Sequence, residues 1–186
     1  MSSLLRFHID ARFRLSTDWV RLRFEPGDGP RAFLREEAEG QVVVLPAGFP
    51  LERPAAQAWA NRVVVELLRR RALAVLPQRL DDAARRFGLR YRRLTVKNVC
   101  SRWGSCSADG NINLSLWLML LPTRFVDYVV VHELAHLVER NHGPRFWATV
   151  DRFLGQPGAG HRTARELNAY FRDYCRTVFR APIAAR

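Results

Sequence analysis

The residues best suited to chemistry in this chain are His132-Glu133-Leu134-Ala135-His136, two histidines four positions apart with a glutamate after the first. On an α-helix, side chains at i and i+4 share a face, so both imidazoles reach one metal ion. Glu133 does not easily bind that ion, but it reaches a water held there. Such an ion acidifies its water, the glutamate takes the proton, and hydroxide attacks a polarised carbonyl or phosphoryl centre. A motif this short also arises by chance, as the charged edge of a surface helix. Here it follows Val129-Val130-Val131, which turns the histidines inward. A buried polar pair needs partners, and a metal supplies them.

Catalytic zinc takes three protein ligands and leaves a position open, which implies one Zn2+ per chain. His142, six residues beyond His136, is the expected third ligand. The glycine that turns the chain midway in the related long motif is replaced by Glu139, so the turn is expected at Arg140-Asn141, since asparagine tolerates left-handed backbone. Gly143-Pro144 then launches another helix. Two rivals exist for the third position. Glu166 would be a glutamate from a later helix, but Thr163-x-x-Glu166 also reads as a capping box. His161 lies in a glycine-bounded loop.

These side chains need elements to hold them. Phe7, Ile9, Ala11, Phe13 and Leu15 alternate with polar residues, as do Val20, Leu22 and Phe24, a strand period. Pro26–Pro30 is a turn cluster and Gln41–Leu45 another strand. From Pro54 the period becomes helical through Trp59, Val63 and Leu67. Pro77 is expected to break that helix, with a second running to Phe87 and Gly88 as its stop. Tyr91–Val96, Ser101–Ser107 and Asn111–Leu116 read as strands, the last two joined at Asp109-Gly110. The motif helix is expected from Pro122 to Arg140, a third from Pro144, and a last from near Thr163 carrying Leu167, Phe171, Tyr174 and Val178.

Composition bounds the rest. At 186 residues, with 48% hydrophobic and 26% charged, the chain is long and apolar enough for a core of its own. The longest near-apolar run, Leu114–Leu121, is too short to span a bilayer. The start has no basic segment followed by an apolar one, so no signal peptide is expected. Cys100, Cys106 and Cys175 cannot all pair with one another, and they fit a reducing compartment, with the cytoplasm as default. Net charge is +12, and of thirty basic residues only Lys97 is lysine. The arginines are scattered, Arg69-Arg70-Arg71 being the longest run, which fits coding bias better than a nucleic-acid surface. Weak, non-specific nucleic-acid or nucleotide binding is the most this charge predicts.

Ser101-Arg-Trp-Gly-Ser-Cys-Ser107, Gly110-Asn-Ile-Asn-Leu-Ser115, Asp127-Tyr-Val-Val-Val-His-Glu-Leu-Ala-His136, Asn141-His142 and Phe146-Trp147 together resemble the YgjP-like metallopeptidase family, which is related to the SprT-like zincins. The resemblance extends more weakly to Leu76-Pro77-x-Arg79-Leu80 and Gly88-Leu-x-Tyr91. It implies a zincin fold with His132, His136 and His142 as zinc ligands and Glu133 as catalytic acid and base. Arg102, Gly104 and Ser105 are then the expected substrate-binding residues. In a zincin an edge strand beside the metal pairs with extended substrate. Gly104 would let another backbone approach, and Arg102 would hold a carboxylate or phosphate. Trp103 and Cys106 read as core.

The expected fold is α+β: an N-terminal β-rich region over 1–53, then a minimal zincin-like core over 54–186 with an active-site helix and C-terminal helices. The expected function is a zinc metallopeptidase acting on peptide or protein, with no membrane involvement. The alternatives are a metal-dependent nucleotide phosphohydrolase and a nucleic-acid-associated protein with structural zinc. An intact Glu133 argues against the last, because a structural site needs no base.

Overall fold

The computed structural model describes residues 6–179, and Met1–Leu5, where a leader would begin, lie outside them. Four strands form the first sheet: β1 (Arg14–Ser16), β2 (Arg21–Pro26), β3 (Phe33–Glu37) and β4 (Gly40–Leu45), in the order β1-β2-β4-β3. β3 and β4 are an antiparallel hairpin, and β4 runs parallel to β2. β3 was not expected. It is an edge strand with Phe33 and Leu34 exposed, so it shows no buried alternation to read.

The alternation over residues 6–15 predicts burial at every apolar position but Ala11, which is exposed, and it does not predict pairing. Phe7, Ile9, Phe13 and Leu15 are buried while His8 is exposed. Only Arg14–Ser16 joins the sheet. Residues 6–10 instead lie along the helix α1 (Pro54–Phe87). Asn61 receives the Phe7 N–H at 2.7 Å and donates to the Phe7 carbonyl at 2.9 Å, and Gln57 does the same for Ile9. Two side-chain amides, four residues apart on one helix face, thus replace a neighbouring strand.

α1 has 34 residues, about 50 Å at 1.5 Å per residue. It passes through Pro77 without a break, contrary to expectation. Ala72, Leu76 and Leu80 are each fully buried on its inner face, and that packing outweighs one lost hydrogen bond. The carbonyl that Pro77 leaves without its donor belongs to Leu73, which is 54% exposed and open to water. Gly88, at φ 66°, ends the helix as expected.

The second sheet is β5 (Arg93–Lys97), β6 (Gly104–Cys106) and β7 (Asn111–Ser115), in the order β5-β7-β6. β6 is thus a short edge strand, turned back onto β7 through Gly110 at φ 76°. The run Leu116–Leu120 is a buried 3₁₀ turn, which explains its unbroken hydrophobicity. Three helices follow: α2 (Thr123–Ala135), α3 (Pro144–Leu154) and α4 (Ala159–Val178).

α2 stops at Ala135 rather than Arg140, with His136 at its cap position. The Leu137 and Val138 N–H groups bond the Leu134 and Ala135 carbonyls, so the chain turns directly after His136. No non-glycine residue adopts positive φ among the described residues, and the turn expected at Arg140-Asn141 does not form by that route. α4 starts at Ala159, four residues before Thr163, so the Thr163–Glu166 capping box does not exist. The cap comes from α3: Asp151 accepts the Gly158 and Gly160 N–H groups at 2.6 and 2.8 Å.

Both segments share one core, in which Phe24 and Leu22 of the first sheet join Leu68 of α1 and Phe125 of α2. The β1–β2 turn also holds the start of α2. Asp18 accepts from the Thr123 N–H and hydroxyl, both at 2.8 Å, and Trp19 donates to the Leu121 carbonyl. No described helix is long and apolar enough to cross a membrane.

Candidate metal centre

α2 lies under β6 and carries nine buried residues from Phe125 to Ala135, so its last turn is held on every side. His132 and His136 project from that turn. The reversal after His136 and the start of α3 at Pro144 bring His142 back over them. One ring nitrogen from each of the three lies within 4.8 Å of the others, and His132 Nε2 and His142 Nε2 are 3.0 Å apart. Three convergent imidazoles suit a borderline transition-metal ion such as zinc. His142 is exposed, so the cluster opens to solvent on one side.

The rings are oriented by partners. His136 Nδ1–H donates to the Glu139 carbonyl at 3.2 Å, which leaves Nε2 as its ligand atom. His132 Nδ1 faces the Tyr128 hydroxyl at 3.5 Å, one turn back on the helix. Trp147 Nε1–H donates to the His142 carbonyl at 3.1 Å and so ties down the segment that carries the third imidazole. Phe146 is fully buried beneath the cluster, its ring 4.4–4.9 Å from all three imidazoles. Burial, with His136 and His142 adjacent, holds His132 down to about 3, so it is neutral and ready to ligate. Burial lowers His136 as well.

Glu133 is 5% exposed, and its Oε2 is buried with no hydrogen-bond partner among the described residues. An unpartnered buried carboxylate oxygen beside three converging imidazoles fits a site built around an ion and its water. Burial lifts this carboxyl to about 8, against the pull of the Arg102 charge. Gly104 lies directly against it. A Cβ at position 104 would sit 2.5 Å from Glu133 Oε1 and 2.7 Å from its Cδ and Cγ. The close approach that this glycine permits is therefore made by Glu133 itself.

Side chains alternate along a strand. Ser105 therefore faces away from Glu133, and its hydroxyl accepts from Asn113 at 3.0 Å. Arg102 is exposed at the start of β6. Trp103 and Cys106 pack partly buried against the core, as expected, Trp103 edge-on to Phe171 at 4.5 Å. Glu166 is exposed on α4 and takes no part in the cluster, and His161 stacks on Trp147 at 3.8 Å. Tyr128 is the neighbour that sequence reasoning missed. Its signal was there, four residues before His132 on the same helix face.

The sequence matches the YgjP-like metallopeptidase domain over residues 10–168. The chain belongs to the YgjP-like metallopeptidase family. As a member it is a metal-dependent hydrolase, and the family match takes in the N-terminal sheet as well as the metal centre. None of the curated proteins matches this YgjP-like chain in sequence. In structure it is similar to two crystal structures of metallopeptidase zymogens. One is Methanocaldococcus jannaschii jannalysin, with 13% identity and TM-score 0.45 over 51% of this chain and 95% of that one. The other is Pyrococcus abyssi abylysin, with 20% identity and TM-score 0.46 over 53% of this chain and 96% of that one.

Proposed function

We propose that this protein is a zinc-dependent peptidase in which His132, His136 and His142 hold the ion and Glu133 is the general base. The observation that carries this reading is the buried, unpartnered Glu133 carboxylate beside three converging imidazoles. A bound ion supplies Lewis acidity toward a water and the substrate carbonyl. The protein's own residues do the rest. The free edge of β6 offers backbone groups to an extended peptide. Glu133 accepts the water's proton at Oε2 and returns it to the leaving amine. Burial raises its affinity for that proton while Arg102 and a bound cation lower it, so the group can both take and give. Of the expected substrate residues, Gly104 serves by seating Glu133 and Arg102 by its charge. Ser105 reaches peptide on the site's side of β6 only through its backbone.

The test is Glu133→Gln, which keeps size and removes the base. The variant should bind zinc and melt like wild type, while turnover on peptides falls by roughly 10²–10⁴. Unchanged turnover would place hydrolysis elsewhere, and loss of zinc would make Glu133 structural. A panel of unfolded proteins, peptides and nucleoside triphosphates with the zinc-loaded protein separates peptidase from phosphohydrolase. Cleavage of the triphosphates alone would replace the peptidase reading.

A further inference from the structure

Gly104, which lies against Glu133, also lines a cavity of about 280 Å3 whose walls include Lys97, Arg102, Trp103, Ser105 and Asn113. No acidic residue lines it. Among the described residues, neither Lys97 nor Arg102 has a carboxylate within ion-pair distance, whereas Arg23 and Arg35 of the first sheet each pair with two glutamates. Ser105 accepts from Asn113, which leaves its own O–H to donate. Every side-chain charge offered to this space is positive.

Lys97 adds an independent argument from composition. In a chain with one lysine among thirty basic residues, a generic surface cation would be arginine. The sole lysine lines this cavity, and it brings a compact ammonium point charge rather than a planar guanidinium fork.

The walls are held in place. The loop from Asn98 to Trp103 is tied to the end of β7 and to the turn after it. Ser115 N–H donates to the Trp103 carbonyl at 2.8 Å, the Ser115 hydroxyl to the Val99 carbonyl at 2.6 Å, and Trp117 Nε1–H to Asn98 at 2.9 Å. The cavity also touches the site directly. Gly104 borders both the cavity and Glu133.

We propose that this cavity binds a carboxylate of the peptide substrate, with Lys97 and Arg102 supplying the charge and the Ser105 hydroxyl a neutral donor. A chain lying along β6 passes its mouth, so the carboxylate belongs to a residue close to the scissile bond. The volume lies below the about 300–1,000 Å3 of drug-sized ligand sites, which suits one acidic side chain or a chain terminus better than a nucleotide. The inference rests on the peptidase reading and narrows its substrates to anionic peptides.

The test uses zinc-loaded protein and fluorogenic peptides in matched pairs. One pair carries Glu or Gln beside the cleaved bond, and the other ends in a free carboxylate or an amide. Wild type should prefer one anionic member by about tenfold or more in kcat/KM, the worth of a charge-assisted contact. Which pair shows the preference identifies the source of the carboxylate. In Lys97→Met the preference should collapse toward one, and Lys97→Arg should restore it only in part. The same ratio should appear in the Kd of labelled peptides for zinc-loaded Glu133→Gln protein, where no turnover intervenes. Equal cleavage of both members by wild type, or a preference that survives Lys97→Met, overturns the assignment while leaving the peptidase intact. Competition by millimolar pyrophosphate at physiological salt, without any peptide preference, also overturns it, in favour of a phosphate ligand. Failure of wild type to cleave any peptide instead strikes the peptidase reading.

Discussion

The two sheets treat their charges in opposite ways. On the outer face of the first, Arg23, Glu25, Arg35 and Glu37 form a closed ring of ion pairs at 2.7–2.8 Å. Through mutual hydrogen bonds the glutamates raise the proton affinity of the arginines and the arginines depress that of the glutamates. The second sheet leaves its cations Lys97 and Arg102 without carboxylates, and beneath its edge strand a buried carboxylate lacks a partner. The ring on the first sheet satisfies its own charges and leaves none over to bind. The second is incomplete in the places where an ion, a water and a substrate would complete it. Unsatisfied groups cost stability, so they persist where the surrounding packing holds them and binding makes up the deficit.

Several substitutions sharpen or break that contrast. The largest effect is expected at the ligands. His132→Ala with His136→Ala should abolish stoichiometric zinc, and His142→Ala should weaken it by orders of magnitude in a chelator-competition titration. Glu166→Gln, on the exposed side of α4, should leave it unchanged. The reverse pattern at His142 and Glu166 would mean that the cluster does not hold the ion in this way.

Next comes the fit between β6 and α2. Gly104→Ala forces the Glu133 carboxylate aside, since the new Cβ would lie 2.5 Å from Oε1. Turnover should fall while zinc is kept, at a stability cost of about 1–3 kcal/mol, as for overpacking elsewhere. Glu133→Asp shortens the obstructing side chain and should recover most of that stability in the double variant, measured as a coupling energy. Additive losses would show that the contact is not what makes glycine necessary.

A smaller effect is expected where the first sheet supports the start of α2. Asp18→Asn weakens the cap on α2 and should cost about 1 kcal/mol or less. Hydrogen bonds from the Thr123 backbone and hydroxyl hold the Asp18 carboxyl below its ordinary 3.8. Its contribution is therefore full above that value and lost as pH falls through the depressed one. The melting-temperature gap between wild type and variant should close in that acid range and stay constant above it. Smallest of all is Arg35→Ala in the ion-pair ring. Such exposed pairs are weak, so the melting temperature should move less than for Asp18→Asn, with the difference shrinking at high salt. Peptide hydrolysis should not change. A large loss of activity there would break the division between a self-satisfied sheet and an incomplete one.

Much of the site was legible in the chain itself. The four-residue spacing of His132 and His136 needs only helical periodicity, and Val129–Val131 before them marks a buried helix. His142 followed from the need for a third ligand close by. Local rules failed where tertiary contacts overrode them. Pro77 should end a helix, but Leu76 and Leu80 are buried on the face that continues. Thr163-x-x-Glu166 has the letters of a cap, but Asp151 on α3 caps α4 one turn earlier. Phe7 and Ile9 alternate like a strand because one side of their segment is buried, and Gln57 and Asn61 supply the hydrogen bonds a neighbouring strand would have made.

The convergence of His132 and His136 on one helix face could be read along the chain, because residue type and helical spacing are local properties. Only the tertiary structure decided what surrounds them. That Gly104 packs against Glu133, that Trp147 fixes the His142 segment, and that Lys97 and Arg102 share a cavity free of acids are facts about residues distant in the chain. They depend on how a three-residue edge strand lies over a thirteen-residue helix. No periodicity encodes that approach, since it is set by packing across the whole core.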